Sequence, residues 1–412
     1  MKPSALRRVL FQSLVFLMPV QLSLHFWPEW AYVFGIRVDY LSPTIYLTDL
    51  VLIALLVSWW LNKKPNLPKT SWALGLLILV SVNILLAQRP PVSFLKWLKV
   101  LELSSFVFYL SIERDFRLKD WLIKPLSWSL IFFSLVASFQ LFNQKTLGGF
   151  FYFLGERTFD ATTPGIALFS FLGRQFLRPY STFPHPNALA GFMLASLFLL
   201  GLESKEKRNS FIKKLAVGFA GLSVLISVSH GAWLSAFLVA TLYLFDRRDP
   251  SLRRLFVFVP LILATLSVLS LPFLRGLSAS NYPEEVGKRL VLSGAAARVI
   301  AARPLFGTGL GNFVVRLSKL PFRSVALWWR QPVHNLFLLV FAETGFLGLA
   351  AFLYLLFETL KRLVATKNKF LIFSLLTILL TGAVDHYWLT LQQNQLLFSL
   401  LLGLSFRKSF QN

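Results

Sequence analysis

Residues 303–313 read RPLFGTGLGNF, and residues 334–348 read HNLFLLVFAETGFLG. They mark the boundary between a polar segment, at about residues 275–332, and an apolar run long enough to enter hydrocarbon. Only Glu284 and Glu285 oppose the basic side chains of this segment, which are Arg275, Lys288, Arg289, Arg298, Arg303, Arg316, Lys319, Arg323 and Arg330. A basic segment that ends in a histidine at a helix start suits an anionic, lipid-linked substrate.

The rest of the chain is apolar enough to predict a polytopic membrane protein. Of its 412 residues, 56% are hydrophobic and 42 are Phe, and the mean hydropathy is +0.63. A soluble protein of this length has no core large enough for so much apolar surface. We predict one all-α membrane domain over residues 1–412, with about twelve transmembrane helices near residues 9–26, 43–62, 71–88, 95–112, 122–142, 187–203, 212–229, 231–245, 255–274, 334–360, 370–385 and 389–406.

The distribution of basic residues predicts the orientation in the membrane. The net charge of +24 would suggest nucleic acid binding in a soluble protein, but cytoplasmic loops of membrane proteins also collect Lys and Arg. Placing the short basic loops inside leaves both termini in the cytoplasm and two long loops outside, at residues 143–186 and 275–332. The absence of cysteine fits a bacterial envelope protein. Because cytoplasmic loops account for most of the positive charge, we expect no nucleic acid partner. The N-terminal run reads as an uncleaved first helix.

A first candidate motif, RPYSTFPHPNALAGF, covers residues 178–192. Its prolines predict a loop that ends at a helix N-terminus, with Asn187 as the capping residue. Capping alone would account for Pro186 and Asn187. Arg178 is harder to explain structurally, because an arginine beside a helix N-terminus can hold a phosphate with two hydrogen bonds. His185 is a further candidate in this motif.

A second group lies in the outer basic segment. The spacing of apolar residues between Arg289 and Ile300 predicts a short amphipathic helix at the interface, on which arginines either bind substrate or contact lipid headgroups. The Gly-rich run at 307–311 is not a dinucleotide loop, because no strand precedes it. Its glycines predict a tight turn with positive φ that shapes the site.

The third group begins the apolar run at residue 334. His334 at a helix start favours a neutral imidazole that can accept a proton, although isolated interfacial histidines are often inert. Glu343, deeper in the same run, reads either as a structural ion pair or as a group facing a cavity. The five histidines lack metal-ligand spacing, so we predict no metal site. The ionisable residues left without an assigned role are Asp49, Glu102, Glu343 and Asp385.

Taken in order, these motifs resemble the bacterial O-antigen ligase and O-antigen polymerase family. The matching pieces are Arg178 with TFPHPNALAG, then SHGAW at 229–233, then Arg289 followed by PLFGTGLGNF, and then HNL with AETGFLG from residue 334. The resemblance covers about residues 178–348. The chain departs from the usual pattern at Ser293, where an aromatic is common, and at His230, where an arginine is common.

The resemblance implies a multi-span glycosyltransferase of the C type whose external loop carries short helices. Such an enzyme transfers a saccharide from an undecaprenyl-diphosphate carrier to a lipid or glycan acceptor at the outer face of the inner membrane, without metal or nucleotide. It implies diphosphate binding by Arg178 and Arg289, catalysis by these arginines with His334, and inversion at the anomeric carbon. The candidate substrate-binding residues are Arg178, Arg289, Arg298, Arg303, His185, Asn187 and Asn335.

Two other functions remain open at this point. A polymerase would use the same donor and extend the glycan on its own carrier. A polysaccharide or lipid transporter is more distant, because the charged residues gather in one external loop and no repeat of interrupted helices is present.

Overall fold

The protein is a mostly helical assembly in which each of the twelve predicted apolar runs contains a helix. The computed structural model describes residues 3–63, 73–202, 211–248, 258–270, 284–320 and 330–407. Within these ranges the helices are α1 Pro3–Leu17, α2 Leu47–Lys63, α3 Ala73–Leu85, α4 Pro90–Ile112, α5 Lys124–Asn143, α6 Pro186–Leu200, α7 Phe211–Ile226, α8 His230–Arg248, α9 Val259–Leu269, α10 Glu284–Ala302, α11 Phe313–Leu317, α12 Leu336–Ala365, α13 Lys369–Gly382, α14 Tyr387–Thr390 and α15 Gln392–Ser405.

Among the described residues, two stretches are long and apolar enough to cross a membrane on their own, by length and composition. They are Leu118–Asn143, in which a π-helical turn at Leu118–Ile123 leads into α5, and Leu336–Ala365. Several other apolar helices are shorter than this test requires. The structure therefore agrees with a helical membrane protein, and the number of spans stays a prediction.

The segments between helices contain short strands, which corrects the expectation of a purely helical fold. The predicted first helix at 9–26 is wrong at its end, because α1 stops at Leu17 and the chain continues into a strand at Ser23–His25. Pro19 lies between the two and cannot continue the backbone hydrogen bonding of a helix. The strands are β1 Ser23–His25, β2 Tyr32–Val33, β3 Ile36–Arg37, β4 Thr44–Tyr46, β5 Leu168–Phe171 and β6 Arg174–Leu177. They form three antiparallel pairs, β1 with β4, β2 with β3, and β5 with β6.

The helices pack around one large apolar core, to which α1, α4, α5, α6, α13 and α15 contribute fully buried side chains. In this core α5 and α6 pack on α7, α6 packs on α13, and α15 packs on α4. The last pair matters for the site, because it brings the C-terminal end of the chain against the first half. A second cluster, formed by Leu292, Ala295 and Ala296 with Leu338 and Ala342, packs α10 against α12.

The Gly-rich run forms the predicted tight turn, which joins α3, α4 and α12. Gly307, Gly309 and Gly311 have φ values of 69°, 95° and 77°, which only glycine adopts without strain. Asn83 donates from Nδ2 to the carbonyls of Phe306 and Glu343, each at 2.9 Å. Asn83 of α3 thus connects the start of the turn to α12.

Glu343 serves this turn. Its carboxylate accepts the backbone N–H groups of Gly311 at 2.8 Å and Phe313 at 3.1 Å. Two backbone donors satisfy a buried acid that would otherwise be costly in this position. The structure therefore gives Glu343 a role in fixing the Gly-rich turn.

We expect Gly309→Ala to lower the stability of the protein by about 1–3 kcal/mol. A Cβ at this position would lie 2.3 Å from Cβ of Ala87 and 2.6 Å from Oγ of Ser93, on a backbone with φ of 95°. Thermal unfolding of the detergent-purified variant measures the effect. Gly218→Ala is the matched control, since nothing lies within 4 Å of its added Cβ. Equal melting temperatures for the two variants would contradict the tight turn.

Candidate active site

A cavity of about 910 Å³ lies at the end of the helix bundle where the predicted outer segments meet. Its walls come from the segment between α1 and α2, the start of α4, the segment between α5 and α6, the start of α10, the residues before α12 and the residues between α13 and α15. Among the predicted site residues, those that line it are Arg178, His185, Asn187, Arg289 and His334. The motifs on separate segments are therefore brought to one space.

Arg178 is held rigidly at the cavity wall. It is 8% exposed, and its Nε donates to the carbonyl of Ser227 at 2.7 Å. Its NH2 group donates to Oδ1 of Asn187 at 2.6 Å. These bonds fix the plane of the guanidinium, which lowers the entropy cost of holding a ligand there.

Asn187 has a different position from the one predicted. His185 is the N-cap of α6, and its Nδ1 accepts the backbone N–H of Asn187 at 3.1 Å, so the predicted capping by Asn187 is wrong. Asn187 is instead the second residue of α6, and its Nδ2 donates to Oδ2 of Asp385 at 3.3 Å. The ring of His185 lines the cavity and is exposed there.

His334 and Asp385 form a hydrogen-bonded pair in the cavity wall. Nδ1 of His334 lies 3.3 Å from Oδ1 of Asp385, which also accepts the backbone N–H of His386 at 2.8 Å. An ionised carboxylate only accepts hydrogen bonds, so the pair places the imidazole proton on Nδ1 and leaves Nε2 able to accept a proton.

The buried acid of this pair stays ionised. Asp385 is only 7% exposed, and burial alone would raise its pKa. The attraction and hydrogen bond of His334, with further attraction from His386, outweigh that effect and hold the pKa of Asp385 well below its usual range. A permanent negative charge therefore lies beside Nδ1 of His334 near neutral pH.

Arg289 reaches the same place from α10. Its NH1 group donates to the carbonyl of Val384 at 3.2 Å, one residue before Asp385. The predicted helix is present, but it is longer than expected and its apolar face packs on α12 rather than only on lipid. The short segment 383–386 is thus in contact with Arg289, Asn187 and His334.

Three predicted residues lie outside the cavity lining. Arg298 is exposed near the end of α10, and Arg303 is exposed directly after this helix, where its NH1 donates to the carbonyl of Leu86 at 2.7 Å. Asn335 caps α12, because Oδ1 accepts the N–H of Leu338 at 2.9 Å while Nδ2 donates to the carbonyl of Ala383 at 2.9 Å. Substrate binding by these three residues stays a prediction.

The sequence motifs missed two residues at the centre of the site. Asp385 and His386 follow α13 and face the cavity, while Tyr40 packs edge-on against His386 at 5.6 Å between ring centroids. The available signal was an acid beside a histidine at the end of an apolar helix. One ligand atom each from His334, Asp385 and His386 lie within 4.8 Å of one another, so this group is also the place where the described residues can hold a metal ion.

In this mostly helical protein, two arginines, a histidine and an acid line one cavity. Residues 215–353 match the family model described as O-antigen ligase. The chain is also 23% identical over 348 residues to the ComP-specific O-oligosaccharyltransferase of Acinetobacter baylyi (strain ATCC 33305 / BD413 / ADP1), covering 80% of this chain and 60% of that protein. The predicted resemblance to the O-antigen ligase family is confirmed.

Proposed function

We propose that the protein transfers a saccharide from an undecaprenyl-diphosphate carrier to a hydroxyl of a lipid or glycan acceptor, as an O-antigen ligase-like glycosyltransferase. One observation carries the proposal: Arg178, Arg289 and His334 come from three distant parts of the chain and all contact the surroundings of Asp385 in one cavity. Guanidinium groups suit a diphosphate, and a neutral imidazole suits a hydroxyl that must lose its proton.

The geometry supports a single displacement. Nε2 of His334 takes the proton of the acceptor hydroxyl while the oxygen attacks the anomeric carbon of the donor sugar. The bond from that carbon to the diphosphate oxygen breaks, and the carrier diphosphate leaves with the electron pair. The fixed guanidinium of Arg178 and the guanidinium of Arg289 stabilise the charge that develops on the leaving group. Attack opposite to the leaving group inverts the anomeric carbon.

Asp385 is the positioning residue of this mechanism. Its carboxylate holds the Nδ1–H tautomer of His334 and stabilises the imidazolium that forms when Nε2 takes the proton. Asn187 links the carboxylate to Arg178, so the base and the proposed diphosphate site share one hydrogen-bonded chain. The proposed reaction needs no metal.

The position of the cavity supports an outward-facing site. All of its walls belong to segments or helix ends that the charge distribution places outside. We therefore propose a multi-pass protein of the bacterial inner membrane with both termini in the cytoplasm and the reaction at the outer face, where carrier, acceptor and membrane lipids meet.

The polymerase alternative keeps the same donor chemistry. The relative's name, an O-oligosaccharyltransferase, favours transfer of an oligosaccharide to an oxygen and thus supports a hydroxyl nucleophile. The chain spans about 60% of the length of that relative, so the acceptor has to be measured directly.

The test is transfer by the purified full chain in lipid nanodiscs. A radiolabelled undecaprenyl-diphosphate glycan is offered with lipid A-core as acceptor, and both the released carrier diphosphate and the product are measured, with and without chelator. Product on lipid A-core supports ligation, whereas longer glycan on the carrier supports polymerisation. Absence of carrier release with either acceptor would exclude both.

We expect Asp385→Asn to lower turnover by about 10²-fold. The amide removes the negative charge beside His334 and can present a donor to Nδ1, which favours the wrong imidazole tautomer. The KM for the lipid-linked donor should change little, because the arginines remain. Steady-state kinetics separate the two parameters, and a large rise in the donor KM with unchanged turnover would contradict a positioning role.

A further inference from the structure

We propose that His334, Asp385 and His386 form a binding site for a divalent transition metal such as Zn²⁺, and that the bound metal inhibits transfer. The inhibition rests on the proposed function, whereas metal binding does not. One ligand atom from each residue lies within 4.8 Å of the other two. Two imidazoles and a carboxylate are a common protein ligand set for Zn²⁺ that leaves a fourth position open.

The distances suit tetrahedral coordination. Bonds of about 2.0–2.1 Å around a tetrahedral ion separate neighbouring ligand atoms by about 3.3 Å. Nδ1 of His334 and Oδ1 of Asp385 are 3.3 Å apart already. The rings of His334 and His386 lie 5.0 Å apart between centroids and are inclined by 52°, so both can direct a nitrogen toward one point. The ligand atoms of the three residues lie within 4.8 Å of one another, so a bound ion would draw them closer to reach tetrahedral spacing.

The surrounding hydrogen bonds orient these ligands as in built metal sites. Oγ1 of Thr390 lies 2.8 Å from Nδ1 of the His386 ring and 3.2 Å from the carbonyl oxygen of His386. When the hydroxyl donates to this carbonyl, it accepts from the Nδ1–H tautomer, and Nε2 of His386 then carries the lone pair. Oδ2 of Asp385 is held by Nδ2 of Asn187, which directs Oδ1 at the site. Such outer partners fix ring tautomers and raise metal affinity.

The charges around the group limit its affinity for a metal. Metals bind neutral imidazole and carboxylate rather than their protonated forms. Arg178 and Arg289 add positive charge nearby, so we expect affinity on the order of 10 µM rather than nanomolar.

Metal binding at Nδ1 of His334 would prevent this residue from acting as the general base. In the metal-free pair the ring proton lies on Nδ1 and Nε2 accepts the proton of the acceptor. With Zn²⁺ on Nδ1, the neutral ring carries its proton on Nε2, without net proton release. Nε2 then has no lone pair for the acceptor hydroxyl, and transfer stops while the arginines are unchanged.

Direct binding measurement tests the site without relying on activity. The full chain, purified without a polyhistidine tag in phosphatidylcholine nanodiscs, is titrated with Zn²⁺ by calorimetry and with Co²⁺ by visible absorption. The sequence contains no cysteine and five histidines, so thiolates do not contribute. We expect one site per chain and a tetrahedral Co²⁺ spectrum. His386→Gln should weaken binding at least about tenfold, and Thr390→Val by about tenfold.

His230→Gln is the matched control, because His230 packs on Trp233 and does not line the cavity. It should bind Zn²⁺ like the unmodified chain, and each variant is first checked by its melting temperature. Transfer by each variant is compared with and without Zn²⁺, and His386→Gln should need at least about tenfold more metal for half inhibition. No stoichiometric binding, or equal affinity in His386→Gln and His230→Gln, would overturn the site. Zinc binding in a chain without transferase activity would instead overturn the proposed function alone.

Discussion

We expect His334→Ala to lower turnover by about 10²–10⁴-fold, the range typical of a lost general base. In the proposed reaction Nε2 of His334 is the group that removes the acceptor proton, and Asp385 at 3.3 Å fixes the tautomer that allows it. Binding of the lipid-linked donor should change much less, since Arg178 and Arg289 are unchanged. Single-turnover kinetics with a labelled donor measure the chemical step, and donor binding is measured separately on the same nanodiscs.

His185→Ala is the control for this variant, because it removes a second histidine from the same cavity. His185 faces the same cavity and caps α6, but its Nδ1 is occupied by the N–H of Asn187. Its loss should therefore have a milder effect than loss of His334. A His334→Ala protein with unchanged turnover, or one that fails only in donor binding, would remove the base from this mechanism.

The fold was predictable wherever a long apolar run reports a helix directly. The run beginning at residue 334 is present as α12, and its start differs from prediction by two residues because Asn335 makes the cap. The first helix was misjudged, because the apolar side chains after Pro19 belong to a loop and to β1 rather than to a helix. Hydrophobicity alone does not separate a strand at the outer surface from the end of a helix.

The sequence motifs identified several residues of the site but not the side chains to which these residues are hydrogen-bonded. Arg178, Arg289 and His334 were visible because basic and imidazole groups are unusual at the ends of apolar runs. Asp385 was visible as an acid, but its contact with His334 spans 51 residues of sequence and depends on how α13 packs beside α12. No local pattern specifies such a pairing. Arg298 and Arg303 show the opposite error, because they are the same residue type as Arg289 and follow it closely in sequence but lie outside the cavity lining.

Three basic residues that line the cavity belong to none of the sequence motifs. Lys96 and Lys99 in α4 and Arg157 in the segment after α5 line it, on elements whose sequences resemble ordinary apolar helix and loop. Lys99 bonds to Asp49 at 2.7 Å and to Glu102 at 2.8 Å, which gives two unassigned acids a structural role. The pair with Asp49 forms only when α2 and α4 pack together, so sequence reasoning could not find it, whereas Glu102 lies three residues after Lys99 on the same helix.

We expect Arg178→Ala and Arg289→Ala each to lower turnover by about 10³-fold while the protein still folds and inserts. Each variant removes a guanidinium that stabilises charge on the leaving diphosphate. Arg178 should also resist replacement by lysine, because its Nε and NH2 make two bonds in fixed directions, to Ser227 and Asn187. A lysine ammonium is a flexible point charge that cannot reproduce this planar arrangement.

The measurement is transfer by purified variants, with donor binding and melting temperature recorded on the same samples. Arg174→Ala is the matched control for Arg178: it lies four residues earlier on β6, is exposed, and does not line the cavity. It should keep normal transfer although it removes the same charge.

The two arginines differ in how they are connected to the base. Arg178 is joined through Asn187 and Asp385 to His334, so Arg178→Ala also disturbs the base, whereas Arg289 donates its hydrogen bond to the backbone of Val384. Arg178→Ala should therefore lower both donor affinity and the rate of the chemical step, and Arg178→Lys should recover donor affinity before it recovers rate. Near-normal transfer in both alanine variants would mean that neither residue holds the diphosphate.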